Sequence, residues 1–182
     1  AAVMAGCATM GPPESALKDV RSLIWHKYTT AEQVKAACNG VDGCLKVEND
    51  VCHLHAVDSH AGLDRLGEIT QECYAQPMRP GFHFKAYRVK LAVLDDSKPV
   101  LVIGGSGQMQ VSTDLQRHCG HASVNYPVRG CMRYKIRGME DVRTIMIGKG
   151  RIRTLGHEVK HVFDGDWHDR ENRAHPGAFS AL

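Results

Sequence analysis

Residues 157–161 place two histidines and a glutamate at a spacing that suits metal binding; the segment reads His-Glu-Val-Lys-His. Side chains four residues apart on a helix lie on the same face, so His157 and His161 could bind a single tetrahedral Zn²⁺. Glu158 directly follows the first of them and could act as a general base on a zinc-bound water. The spacing therefore predicts a zinc site on a helix, with a carboxylate beside it.

The same segment resembles the His-Glu-x-x-His signature of the zincin metallopeptidases. The resemblance implies Zn²⁺ as cofactor and a peptide or protein as substrate. It also implies a twisted sheet packed on the helix that carries the site. An additional oxyanion donor is usual in that superfamily, and Tyr134 and His175 are the candidates for this role.

Two branches of the superfamily fit the segment incompletely. Thermolysin-like enzymes take their third ligand from a glutamate on a later helix, but the last glutamate here is Glu171 and the sequence stops at Leu182. Metzincins read His-Glu-x-x-His-x-x-Gly-x-x-His, whereas Gly165 and His168 each come one residue late. Metzincins also have a Met-turn, and no methionine follows Met146. The resemblance thus implies a zinc hydrolase without assigning it to either branch.

We predict His168 as the third ligand, with Asp164 as the alternative. Gly165 can adopt the left-handed conformation that turns a chain back after a helix, which would bring His168 to the metal. Asp164 follows His161 by three residues, and a carboxylate is also a zinc ligand. Further acidic residues could hold the imidazoles in one tautomer, namely Asp166, Asp169 and Glu171.

The elements expected around this segment are a helix from Thr154 to Phe163, ended by Gly165, and a strand over 142–147 just before it. We expect that strand to accept an extended peptide substrate by β-strand addition. Gly156 would allow another element to approach the helix closely. Further strands are predicted over 82–94 and 99–103.

The first half of the chain indicates helices and short cross-linked elements. Apolar residues at helical spacing predict a helix over 14–28. A capping-box start over 29–33, in which a Thr is followed three residues on by Glu or Gln, predicts a second helix over 31–37. Residues 41–74 are rich in turn signals and cysteines, and 76–81 contain the clearest break. We therefore divide the chain into a signal remnant and tether (1–13), a helical Cys-rich subdomain (14–76) and a zincin-like domain (81–182).

The cysteines point to export. Small apolar residues running into Ala-Gly-Cys resemble the end of a bacterial lipoprotein signal, which implies a lipid on Cys7. Ala8 after this cysteine points to the outer membrane, facing the periplasm; secretion is the alternative. The remaining six cysteines are even in number and are predicted to form three disulfides, with Cys119–Cys131 the best single pair; they are Cys38, Cys44, Cys52, Cys73, Cys119 and Cys131.

The net charge and the lengths of the apolar runs argue against a nucleic-acid-binding or membrane-spanning protein. The chain has 182 residues and a formal charge of 23 − 20 = +3, which gives no reason to expect nucleic acid as a partner. No apolar run approaches the length of about 18 residues that spans a bilayer, so membrane contact is expected only through the lipid anchor. His53 and His55 alternate along a predicted extended segment, and a solvated surface is the expectation for them.

These observations predict an α+β fold with a zincin-like C-terminal part and a small helical, disulfide-rich N-terminal part. The predicted function is zinc-dependent peptide-bond hydrolysis in the bacterial cell envelope. The alternative is a non-catalytic envelope lipoprotein with a structural zinc or a partner-binding role. A structural zinc has four protein ligands, whereas a catalytic zinc keeps a position for water.

Overall fold

A computed structural model describes residues 18–95, 100–103, 109–112, 114–119, 129–137 and 140–168 of the chain. Its first half contains two helices and three strands, and its second half contains two helices and five strands. In chain order the elements are β1 (Arg21–Tyr28), α1 (Ala31–Ala37), β2 (Cys44–Glu48), β3 (Val51–Val57), a 3₁₀ turn (His60–Gly62), α2 (Leu63–Ala75), β4 (Tyr87–Leu94), β5 (Val100–Ile103), β6 (Met109–Ser112), α3 (Asp114–Cys119), β7 (Gly130–Arg137), β8 (Glu140–Gly148) and α4 (Ile152–Asp164).

Six strands form one mixed sheet in the order β2-β3-β1-β4-β8-β7, and β5 pairs with β6 in a separate hairpin. β1 runs parallel to β3 and β4 parallel to β8, while the other pairs in the sheet are antiparallel. The fold is therefore α+β, as predicted. Because β1 pairs with β4, the sheet continues across residues 77–80, where the sequence indicated a boundary between two parts of the chain.

Helices α2 and α4 share one hydrophobic core with the sheet and touch each other through glycines. A Cβ on Gly156 would lie 1.9 Å from the carbonyl oxygen of Leu63, and one on Gly67 would lie 2.0 Å from that of Ile152. No side chain fits between backbones at these distances. The close approach expected at Gly156 is thus present, and α2 is its partner.

Three disulfides link helices to strands, as predicted from the six cysteines that follow Cys7. Cys38–Cys44 links α1 to β2, Cys52–Cys73 links β3 to α2, and Cys119–Cys131 links α3 to β7. The last of these confirms the single pairing chosen from the sequence. Cys7 lies outside the described residues.

The helix predicted over 14–28 is wrong in its described part, because residues 21–28 form strand β1. Leu23 and Trp25 are buried, and residues at every second position share a face of the sheet. The apolar spacing of three was compatible with a helix, but hydrogen bonding to β3 and β4 on both sides favours the strand. The prediction of the second helix is confirmed, and Thr30 and Gln33 form a capping box at the start of α1.

The strand predicted over 142–147 is β8, but its predicted role as an acceptor of substrate is wrong. β8 lies inside the sheet, hydrogen bonded to β4 on one side and to β7 on the other. An internal strand has no free hydrogen-bonding edge for a peptide. The strand predicted over 82–94 begins only at Tyr87. Among the described residues, no helix has the length and apolar character needed to cross a bilayer.

Candidate metal centre

Helix α4 presents two histidines on the side away from its core face. Leu155, Val159 and Val162 are buried in the core between the helix and the sheet. His157 and His161 lie one turn apart on another face, and His157 is only 4% exposed. The predicted helix is confirmed, and its amphipathic pattern directs both imidazoles away from the sheet.

A sharp turn after α4 returns the chain to these two histidines. Gly165 ends the helix with φ of +66°, and its N–H donates to the carbonyl oxygen of His161 at 2.9 Å. This φ lies in the region that favours glycine. Three residues later, the ring of His168 lies against the rings of His157 and His161.

The three imidazoles converge through the same ring atom. The Nε2 atoms of His157 and His161 are 3.2 Å apart, and the Nε2 atom of His168 is 3.0 Å from each. We call His157, His161 and His168 the helix cluster. Among the described residues they are the group of three whose ligand atoms lie close enough together to hold a metal ion.

The distances suit a metal with nitrogen ligands. For tetrahedral coordination with metal–nitrogen bonds of about 2.0–2.1 Å, two ligand nitrogens are about 3.3 Å apart. The observed separations of 3.0–3.2 Å fall slightly below this value. Hydrogen bonding alone does not account for the triangle. In a neutral imidazole Nε2 either carries a proton or accepts one, so three Nε2 atoms in mutual contact include at least one pair of the same kind.

The surroundings favour the neutral form of His157 and His161 and orient the ring of His161. His161 donates its Nδ1–H to the carbonyl oxygen of Gly165 at 2.8 Å, which leaves the Nε2 lone pair free to bind a metal. Burial, followed by the proximity of His161 and His168, lowers the pKa of His157 to about 3. Burial also lowers the pKa of His161, although its hydrogen bond to Gly165 acts in the opposite direction. Metal binding requires neutral imidazole.

Trp167 packs against the whole helix cluster. Its side chain is 4% exposed, and its ring centroid lies 4.2 Å from that of His168, 5.0 Å from that of His157 and 5.6 Å from that of His161. The structure shows that this indole restricts the orientation of all three rings.

Glu158 is buried, with an exposure of 5%. Burial raises the pKa of its carboxyl to about 8, because a carboxylate loses hydration when it leaves water. A carboxyl with a pKa near neutrality can both accept and release a proton at physiological pH.

Asp164, the alternative third ligand, forms ion pairs with two lysines. Its carboxylate accepts from Lys160 Nζ at 2.7 Å and is also bonded to Lys27. Burial alone would raise the pKa of this carboxyl, but the hydrogen bonds from the two lysines lower it overall. His168, and not Asp164, therefore lies beside His157 and His161.

The other predicted residues lie largely outside the described structure. Tyr134 belongs to β7, but its side chain is not described. His175, Asp169 and Glu171 follow the last described residue.

A second group of histidines lies on β1 and β3, and the sequence indicated His53 and His55 of this group but not His26. We call His26, His53 and His55 the sheet cluster. His26 Nε2 and His53 Nδ1 are 2.8 Å apart, and the Tyr28 hydroxyl lies 2.7 Å from His55 Nδ1. The prediction of a solvated surface is wrong for His55, which is buried with an exposure of 9%. The sequence signal was the alternation of His53 and His55, but His26 could not be added while residues 14–28 were interpreted as a helix.

Fold and site together define a disulfide-bonded α+β protein with a candidate three-histidine metal centre. In comparisons with known proteins, the chain matches no protein family, no curated protein and no solved structure.

Proposed function

We propose that the protein is a zinc-dependent hydrolase that cleaves peptide bonds. The observation that carries this proposal is the convergence of three Nε2 atoms within 3.2 Å of one another on and just after α4, in a segment that also contains Glu158. Three histidines are a typical ligand set for catalytic zinc, in which the fourth position is left to water or substrate.

The helix cluster would hold the ion, and nitrogen ligands at these separations fit Zn²⁺. Bound there, Zn²⁺ would increase the acidity of water and withdraw electron density from a peptide carbonyl. His161 is kept in the required tautomer by the Gly165 carbonyl, and Trp167 fixes the ring planes.

Glu158 is the proposed proton carrier. Its carboxylate would accept a proton from the attacking water as the new C–O bond forms. It would deliver that proton to the amine nitrogen as the C–N bond breaks, so the carboxylate is regenerated in each cycle. Its burial supports this role, because water competes poorly for a proton held in an enclosed site. Tyr134 and His175 remain the predicted candidates for an additional oxyanion donor.

The proposed location is an oxidising compartment outside the cytoplasm. Three disulfides support this, since such bonds persist in oxidising environments and are rare in reducing ones. A lipid on Cys7 and a position at the outer membrane belong to the same proposal and rest on the sequence alone.

The experiment compares metal content and hydrolysis in the wild type, Glu158→Gln and His168→Ala. Zinc is measured by elemental analysis, and activity on a mixture of peptides by mass spectrometry. We expect one zinc per chain in the wild type. Glu158→Gln should keep its zinc and lose hydrolysis by about 10³-fold, because only the proton carrier is removed. Glu32→Gln, an exposed change on α1, is the matched control and should behave as the wild type.

Three outcomes would contradict the proposal. Zinc in the wild type with no hydrolysis would indicate a structural metal or a partner-binding role. Hydrolysis unaffected by Glu158→Gln would remove the role of Glu158 as proton carrier. Absence of zinc from the wild type, even after reconstitution, would remove the metal site itself.

A further inference from the structure

The segment between α2 and β4 exposes two phenylalanines side by side. Phe84 is 91% exposed and Phe82 is 54% exposed, more than any other large apolar residue of the described structure. Their rings meet edge to face, with centroids 5.0 Å apart. We call Phe82 and Phe84 the aromatic knob. Apolar surface concentrated in this way marks an interaction site more often than scattered apolar residues do.

The base of the knob is fastened to the sheet. Ser22 on β1 donates its hydroxyl to the carbonyl oxygen of Gly81 at 3.1 Å, and the N–H of Ala86 donates to that of His83 at 3.1 Å. The His83 side chain turns inward, and its Nε2 atom is buried. These contacts hold the backbone on both sides of the two phenylalanines, so the rings are presented in a fixed shape.

Exposed cations flank the knob on each side in sequence. Arg79 precedes it and Lys85 follows it, and both side chains are exposed. Exposed aromatic rings with exposed cations before and after them in the chain complement an anionic lipid surface, where phosphates lie above acyl chains. A pocket on a protein partner would require a matching shape, whereas a bilayer deforms around the knob.

The strand that follows the knob packs against the end of α4. Tyr87, three residues after Phe84, packs edge to face on Phe163 in the last turn of α4, with centroids 5.1 Å apart. The guanidinium of Arg143 covers Tyr87 at 4.1 Å and donates to the carbonyl oxygen of Val162. The start of β4 is therefore held against the end of α4.

We propose that the aromatic knob inserts into the interfacial layer of an anionic bilayer, with Arg79 and Lys85 contacting lipid phosphates. The contact would hold the side of the molecule that contains the end of α4 towards the membrane. It is independent of a lipid on Cys7 and of the metal. The small net charge of the whole chain did not indicate such a surface, because the relevant charges are local.

The test is sedimentation with vesicles that contain about 30% phosphatidylglycerol in phosphatidylcholine. All proteins carry Cys7→Ser, so that no lipid can be attached. We expect the otherwise wild-type chain to partition onto these vesicles and to release at high salt. Phe82→Ser with Phe84→Ser should reduce partitioning at least about tenfold, and Arg79→Glu with Lys85→Glu about tenfold. Val41→Ser with Val47→Ser is the matched control, because both valines are exposed away from the knob.

Folding is checked by circular dichroism, and zinc content should be unchanged in every variant. The proposal is overturned if the wild type fails to partition, or if the double serine variant at the phenylalanines partitions equally well. Partitioning that depends on the cations alone would also overturn it, because insertion of the knob would then contribute nothing. A raised KM for peptides in the phenylalanine variant, with vesicle binding unchanged, would assign the knob to substrate instead.

Discussion

The described part of the chain contains two clusters of three histidines that differ in how their ring nitrogens meet. In the sheet cluster, short contacts join pairs: His26 with His53, and His55 with the hydroxyl of Tyr28. The rings of His26 and His55 also stack at 4.4 Å. In the helix cluster, three Nε2 atoms point at one another.

The clusters differ in whether hydrogen bonds alone can satisfy the ring nitrogens that meet in them. A pair of neutral imidazoles is satisfied by one proton, so the contacts of the sheet cluster are complete without another atom. The triangle in the helix cluster leaves lone pairs directed at a common point, and a cation there would satisfy all of them. Convergence of lone pairs, and not the number of histidines, separates a candidate metal site from a packed one.

Zinc affinity should distinguish the clusters most strongly. Removing one of three nitrogen ligands with His168→Ala should weaken zinc binding by about 10³-fold or more, because two ligands hold the ion poorly. His53→Ala, the matched change in the sheet cluster, should leave affinity unchanged. Competition with a chromophoric chelator measures both. Equal losses in the two variants would contradict the distinction.

The helix cluster should also depend on the contact between α2 and α4. Gly156→Ala places a methyl group against the Leu63 carbonyl, so the helices must separate. We expect a loss of about 3 kcal/mol in the free energy of unfolding, measured with urea, and weaker zinc binding because His157 shifts. A change below about 0.5 kcal/mol would show that the helices separate without cost.

The sheet cluster should make stability depend on pH. Burial, followed by the charges of His26, Lys46 and His53, lowers the pKa of His55 to about 4 from 6.5, and Glu48 opposes this. The unfolded chain therefore gains a proton near pH 6.5, whereas the folded chain gains it only near pH 4. The contribution of His55 to the free energy of unfolding is therefore fully present above pH 6.5, and it is lost as the pH decreases from 6.5 to 4.

The expected loss is up to about 3 kcal/mol, measured by denaturation at a series of pH values. In His55→Asn, an amide takes the place of Nδ1 beside Tyr28 and does not titrate. This variant should lose correspondingly less stability over the same range. An identical slope in both proteins would show that His55 is not the responsible group.

Trp167 should have the smallest effect. Trp167→Leu removes the indole that packs on the helix cluster and should weaken zinc binding about tenfold, while all three ligands remain. Trp167→Phe should restore most of the affinity, because a flat ring is retained. A chelator titration of the two variants tests this, and equal affinities in Leu and Phe would remove the orienting role.

Local patterns predicted several elements well. The capping box at Thr30 and the helix that carries His157 and His161 depend on neighbouring residues, and both are present. The turn at Gly165 and the approach of His168 to His157 and His161 also followed from a short segment. The strand at 21–28 could not be predicted in this way, because its identity depends on hydrogen bonds to β3 and β4, which are distant in sequence.

The sequence by itself determined which residues of the helix cluster could meet, because helical spacing and one glycine turn place them within twelve residues of each other. It also determined that six cysteines would pair. Only the tertiary structure decided that β8 is internal, that Asp164 is paired with Lys27, and that His26 contacts His53. The physical reason is that these contacts join residues far apart in the chain, and sheet pairing and packing select them.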